Sequence, residues 1–121
     1  MKRPLLAERP IQRANIDLLT MMRCHVVHTP NGSHLAGDKI ARAKQTAALK
    51  ADGLRPGFPD LTIIDQTVVR VGFIEVKREG RYDLDPDQEW WRDELLRLGL
   101  PWALVNTPEG GAEALRTWGW R

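Results

Sequence analysis

The chain has 121 residues, 42% of them hydrophobic and 28% charged, which suits one water-compatible domain with a real core and leaves no room for a second. A single cysteine, Cys24, excludes an internal disulfide framework and a cysteine zinc cluster; no apolar run serves as a signal peptide or membrane span, so a reducing, cytoplasmic setting is expected. Net charge is +2 with a pI near 9.0, which permits nucleic acid as a partner without requiring it.

Ile11, Asn15, Leu18, Leu19 and Met22 recur at helical spacing and predict a first helix from about Glu8 to Met22, with Pro10 tolerated in its first turn. Glu8 opens this helix, Gln12 follows one turn later on the same side, and Asp17 falls half a turn round, toward solvent. Arg23 to His28 predicts a short strand around Val26-Val27, and Asn31-Gly32-Ser33 a turn. Asp38 caps a second helix, Lys39 to about Ala51, stopped by Gly53. Lys39, Arg42 and Lys50 share one stripe of it, with Arg55 in the loop beyond. Such a stripe is either a solvated face or a phosphate-contacting surface.

A rigid connection, Leu54 to Pro59, leads into a β-hairpin: Leu61 to Ile64, a turn at Asp65-Gln66, then a return from Thr67 to Lys77. Asp85-Pro86-Asp87 starts a third helix ending at Gly99, Trp102 to Val105 forms another strand, and Thr107-Pro108-Glu109 opens a last short helix reaching Trp118-Gly119-Trp120. The order α-β-α-β-β-α-β-α, helices interleaved with a small mixed sheet, defines an α/β domain.

The hairpin carries the chemistry. It returns the chain to its starting level, so Asp60 at the outset of one strand lands beside Glu75 near the end of the other. Strand alternation puts Glu75 and Lys77 on one face and Ile74 and Val76 on the other. Two carboxylates and a lysine at one sheet edge are the layout for holding a divalent metal and hydrolysing a phosphodiester. The same residue types also fit a solvated hairpin with a cross-strand charge pair.

On the third helix, Gln88, Trp91, Leu95 and Leu98 share an apolar stripe, so the Gln88 amide points inward and requires a partner, either a backbone group or the acidic edge. His25, His28 and His34 make no convincing ligand set, because on a strand the first two face opposite ways and no carboxylate stands at metal spacing beside them. The five tryptophans read as core or interface anchors before stacking platforms; Trp118 and Trp120, on a weak last helix, offer apolar area for a dimer contact.

Taken together, Glu8-Arg9-Pro10-Ile11-Gln12, Asn31-Gly32 ahead of a basic alanine-rich helix, Gly57-Phe58-Pro59-Asp60-Leu61, Phe73-Ile74-Glu75-Val76-Lys77, and Leu84 with Gln88 and Trp91 form a recognisable set. The chain resembles the virus-type replication-repair nuclease family (the VRR-NUC domain), a branch of the PD-(D/E)xK phosphodiesterase superfamily. That resemblance implies a restriction-endonuclease-like core over residues 1–121. It implies that Glu8, Asp60, Glu75 and the Val76 carbonyl bind Mg²⁺ or Mn²⁺, that Lys77 positions or activates the attacking water, and that Gln88 supports the site. Asn31, Lys39, Arg42, Lys50 and Arg55 would then face DNA. The chain departs from the pattern in having Pro10 between Glu8 and Gln12. The implied protein is a homodimeric, phage-type endonuclease acting on branched DNA such as a Holliday junction, with no organic cofactor. A non-catalytic nucleic-acid-binding module and a sequence-specific restriction-type nuclease are the alternatives.

Overall fold

Four strands form one mixed sheet in a computed structural model that describes residues 2–30 and 36–121. Asn31 and His34 lie outside the described residues. In chain order the elements are α1 (Glu8–Met21), β1 (Cys24–His28), α2 (Lys39–Ala51), β2 (Leu61–Asp65), β3 (Val71–Val76), α3 (Pro86–Arg97), β4 (Trp102–Val105) and α4 (Gly110–Thr117). The sheet runs β1-β2-β3-β4, antiparallel except for the β3–β4 pair. A parallel pair cannot be closed by a tight turn, and α3 supplies the crossover.

Alternation along the strands decides what is buried. Leu61 pairs with Ile74, and Ile63 with Val26 of β1, so these side chains share a face with Val76. Against that face pack Ile11 and Leu19 of α1 and Leu115 of α4. Leu61, Ile63, Ile74, Val76, Ile11, Leu19 and Leu115 are fully inaccessible, and such side chains each contribute roughly 1.5–3 kcal/mol by leaving water. Asn15 crosses this core: its Nδ2 donates to Ile11 O and Thr107 O, and its Oδ1 accepts from Gly111 N–H, joining α1 to the start of α4.

The opposite face is covered only in part. Phe73 meets Phe58, and Phe58 meets Trp91 of α3, both edge-to-face with ring centroids 5.5 and 4.9 Å apart. Beyond them Val27 is 50% exposed and Ile64 37%.

Three expectations are corrected. The return strand begins at Val71, not Thr67, because Asp65 folds the chain into a longer loop: its Oδ1 accepts from both Thr67 N–H and Thr67 Oγ1 at 2.8 Å. Leu98 is exposed rather than on the buried stripe, since α3 stops at Arg97 and Leu98 is its C-cap; Leu95 is the buried position. Trp118 and Trp120 are mostly committed to the fold instead of a dimer contact: they contact each other at 4.9 Å between centroids, Trp120 is buried, and the half-buried Trp118 covers Gly72.

Asp38 caps α2 by accepting from Ala41 N–H, but α2 buries none of its residues. Among the described residues, no helix is long and apolar enough to cross a membrane.

Candidate active site

Asp60 stands immediately before β2, after the buried Pro59. Its carbonyl accepts from Thr29 N–H at 2.8 Å, which holds it against the end of β1. Its side chain turns the other way, and Oδ2 accepts from Val76 N–H at 2.8 Å. The carboxylate therefore ties the start of β2 to the end of the neighbouring β3.

Glu75 occupies the β3 position whose side chain leaves the main core face, yet it is only 3% exposed. Burial first, then the hydrogen bond and charge of Asp60 and the charge of Glu8, push its carboxyl up to about 9, with Lys77 pulling the other way. Lys77 follows directly: its N–H donates to Val105 O at 2.8 Å, extending the β3–β4 pairing past the strand.

Gln88 joins these groups. Lys77 Nζ donates to Gln88 Oε1 at 2.8 Å, and Gln88 Nε2 donates to Glu75 Oε2 at 3.3 Å. The glutamine is placed by the start of its own helix. Gln88 N–H donates to Asp85 Oδ1 at 2.9 Å, and Asp85 N–H donates back to Gln88 Oε1 at 3.1 Å, a reciprocal capping box. The helix start is itself pressed onto the loop carrying Asp60, because Gly57 touches it: a Cβ there would stand 2.4 Å from the Asp87 carbonyl carbon. Sequence reasoning identified Asp85 as a cap but missed that this cap orients the amide; a capping-box glutamine three residues after the Asp85 cap was the available signal.

Glu8, the first residue of α1, stands at the rim. Partial burial and the Asp60 charge raise its pKa, while Lys77 opposes the rise. Among the described residues, no group of three or more His, Cys, Asp or Glu side chains is already arranged to hold a metal ion, although the Glu8 charge acts on Glu75 and the Asp60 charge on Glu8. The carboxylate pair nonetheless fits a hard divalent cation. Burial beside the Asp60 carboxylate disfavours the charged form of Glu75, a cost that a divalent cation would relieve, and Mg²⁺ binds through one or two carboxylates while keeping its waters.

The VRR-NUC domain model matches residues 6–108. The chain belongs to that family. A solved structure described as a VRR_NUC domain protein shares its fold, with a TM-score of 0.67 and 18% identity over 98% of this chain and 90% of the other. No curated protein is significantly similar in sequence.

Within this VRR-NUC domain, Asp60, Glu75, Val76, Lys77 and Gln88 come together, while the predicted DNA-facing residues scatter. Lys39, Arg42 and Lys50 lie exposed on α2. Arg55 is exposed as well but folds back on the preceding helix, its Nη1 donating to Lys50 O and Leu54 O and closing the end of α2. His25 and His28 sit on β1 opposite Ile64 and Leu61, on opposite sheet faces, and neither joins the site.

Proposed function

We propose that this VRR-NUC domain is a metal-dependent DNA endonuclease with a PD-(D/E)xK core, structure-specific for branched DNA of the Holliday-junction type. The observation that carries the reading is the hydrogen-bonded chain Lys77–Gln88–Glu75 beside Asp60 at one sheet edge. A nucleic-acid-binding module has no use for a buried carboxylate pair facing a polyanion.

Asp60, Glu75 and the Val76 carbonyl are the groups that would hold Mg²⁺ or Mn²⁺, with Glu8 reaching in from the rim. A cation bound there supplies charge neutralisation at the phosphate and a lowered pKa for water. The chain's own residues do the rest. The Val76 N–H fixes Asp60 in one orientation, so its second oxygen is directed at the substrate without reorganisation. The Lys77 ammonium commits one of its three protons to Gln88 and keeps two for a phosphate oxygen and the attacking water. Gln88 holds both Lys77 and Glu75, so the amide sets the distance between the ammonium and the carboxylates.

The test is cleavage of labelled linear, flapped and four-way DNA with Mg²⁺ or Mn²⁺. Asp60→Ala, Glu75→Ala and Lys77→Ala should each remove nearly all cleavage while the domain still melts cooperatively. Metal-dependent cutting that survives in Asp60→Ala or Glu75→Ala sinks the assignment.

Symmetric cutting of a junction calls for two sites, and a two-fold homodimer provides them. The support for a dimer lies in surface that one copy leaves open: α2 with Ile40 70% exposed, and Val27 and Ile64 on the uncovered sheet face. Light scattering with and without junction DNA measures it; a monomer in both conditions that still makes paired cuts removes the dimer.

A further inference from the structure

The turn after Lys77 carries two arginines with no role in the site described so far. Arg81 N–H donates to Arg78 O at 3.1 Å, closing a four-residue turn, and Gly80 supplies a φ of +80° at its third position. A closed turn brings its ends within ~7 Å, so the two arginine side chains start from neighbouring points.

This turn is held from below and behind. Glu79 accepts from Leu6 N–H at 2.9 Å, its own N–H donates to Leu6 O at 3.0 Å, and Arg3 forms an ion pair with its carboxylate. From the other side the buried Asn106 donates its Nδ2 to Arg81 O at 2.8 Å. The result is a cavity of about 160 Å³ lined by Glu8, Lys77, Arg78 and Arg81, three cations against one carboxylate.

The donors in it are prepared but not used up. Arg81 gives Nε and Nη2 to Asp83 at 2.6 and 2.7 Å, which fixes the guanidinium plane and leaves three of its five N–H groups for another acceptor. Arg78 is exposed, and among the described residues its guanidinium has no ion-pair partner. Planar, fixed guanidinium groups match phosphate oxygens, and acidic neighbours would repel any anion not worth several charge-assisted bonds.

We propose that Arg78 and Arg81 clamp a DNA backbone phosphate adjacent to the one being cut, setting the strand's register against Lys77 and the carboxylates. The clamp rests on the nuclease reading above.

The test measures junction DNA binding by fluorescence anisotropy, with Ca²⁺ in place of the catalytic metal, between ~50 and ~200 mM salt. Wild type, Arg78→Ala, Arg81→Ala, Arg78→Lys and Arg116→Ala are compared, the last removing an equal charge from the far end of α4. Each of Arg78→Ala and Arg81→Ala should weaken binding severalfold and flatten the log Kd against log salt slope by ~0.9, the value for one lost phosphate contact. Arg78→Lys should keep the slope, and Arg116→Ala should leave it unchanged. With Mg²⁺, KM should rise in the two alanine variants while kcat holds. If both match Arg116→Ala, or if kcat falls with the slope intact, the clamp is overturned while the nuclease reading stands. A wild-type protein that neither binds nor cuts any DNA overturns the nuclease reading and the clamp with it.

Discussion

Glu75 is the residue where folding and chemistry conflict. A carboxyl whose folded pKa is near 9, against an ordinary value near ~4.3, binds more protons folded than unfolded between those two values. Stability of the metal-free protein must therefore fall as pH rises through that window. Glu75→Gln keeps the shape and removes the titration. In chelator it should unfold at higher urea than wild type, by a margin that widens from about pH 5 to about pH 9, and it should cut no DNA. A margin that stays flat across this range contradicts the burial argument. Gln88 permits a second separation of roles, because its amide serves both the helix cap and Lys77. Asp85→Ala loses the side-chain half of the cap but keeps the backbone N–H that holds Gln88 Oε1, so it should cost about 1 kcal/mol with turnover largely kept. Gln88→Ala should lose a similar stability and most of the turnover; equal turnover in the two variants shows that Gln88 is a cap alone. Asp60, Glu75 and Lys77 are legible in sequence because strand alternation dictates their sides, and Gln88 because a polar group on an apolar stripe requires a partner. Arg78 and Arg81 are not, since their direction depends on Glu79 reaching Leu6 across 73 positions, which no local pattern encodes.

At the level of elements, the ends of α2 and α3 follow local chemistry: Asp38 and Asp85 as caps, Pro86 in the first turn, and glycines just past each C-cap. The hairpin's extent was not local. Asp65 has the composition of a two-residue turn, but its carboxylate is claimed by Thr67, Arg70 and Arg121, and the last of these arrives from the chain's other end. Periodicity leaves the partner of Gln88 open, and the family resemblance implies that it supports the acidic site; the contact of the loop before Asp60 with α3 is visible only in the structure. Gly57 makes that pairing possible, with a φ of +79° and no space for a side chain against Asp87 and Gln88. Gly57→Ala should cost roughly 1–3 kcal/mol and displace the α3 start, so turnover should fall further than the melting temperature suggests. Activity per folded molecule, with the folded fraction read from circular dichroism, checks it; full specific activity means the loop and helix shift together.

Over the whole molecule, the carboxylate edge is balanced by an ion cluster at the opposite end of β2. The Asp65 side chain is fully inaccessible, with Arg70 at 2.7 Å and Arg121 at 3.0 Å. Those arginines hold its pKa well below the usual carboxylate range, led by Arg121. Asp65→Asn should cost on the order of 2 kcal/mol, less than the ~3–5 of a sealed pair because both arginines still touch water. A depressed pKa contributes stability that is present above the unfolded value and lost as pH falls. The gap between wild type and Asp65→Asn should thus hold steady from about pH 7 to about pH 5 and narrow only below about pH 4. Urea melts across that series decide it, and a gap that closes by neutrality refutes the assignment. The Asn15 bridge carries a different consequence. Its amide in α1 is satisfied by Thr107 and Gly111, 92 and 96 positions later, and Met22 O waits for Arg121, 99 positions on. During translation α1 can meet β1 and then β3, but its buried amide finds Thr107 and Gly111 only much later. The β1–β3 meander and α1 can assemble on the growing chain, but the helical layer beneath the sheet closes only once α4 has been made, so this domain is exposed to chaperones and to aggregation for nearly the whole of its own synthesis.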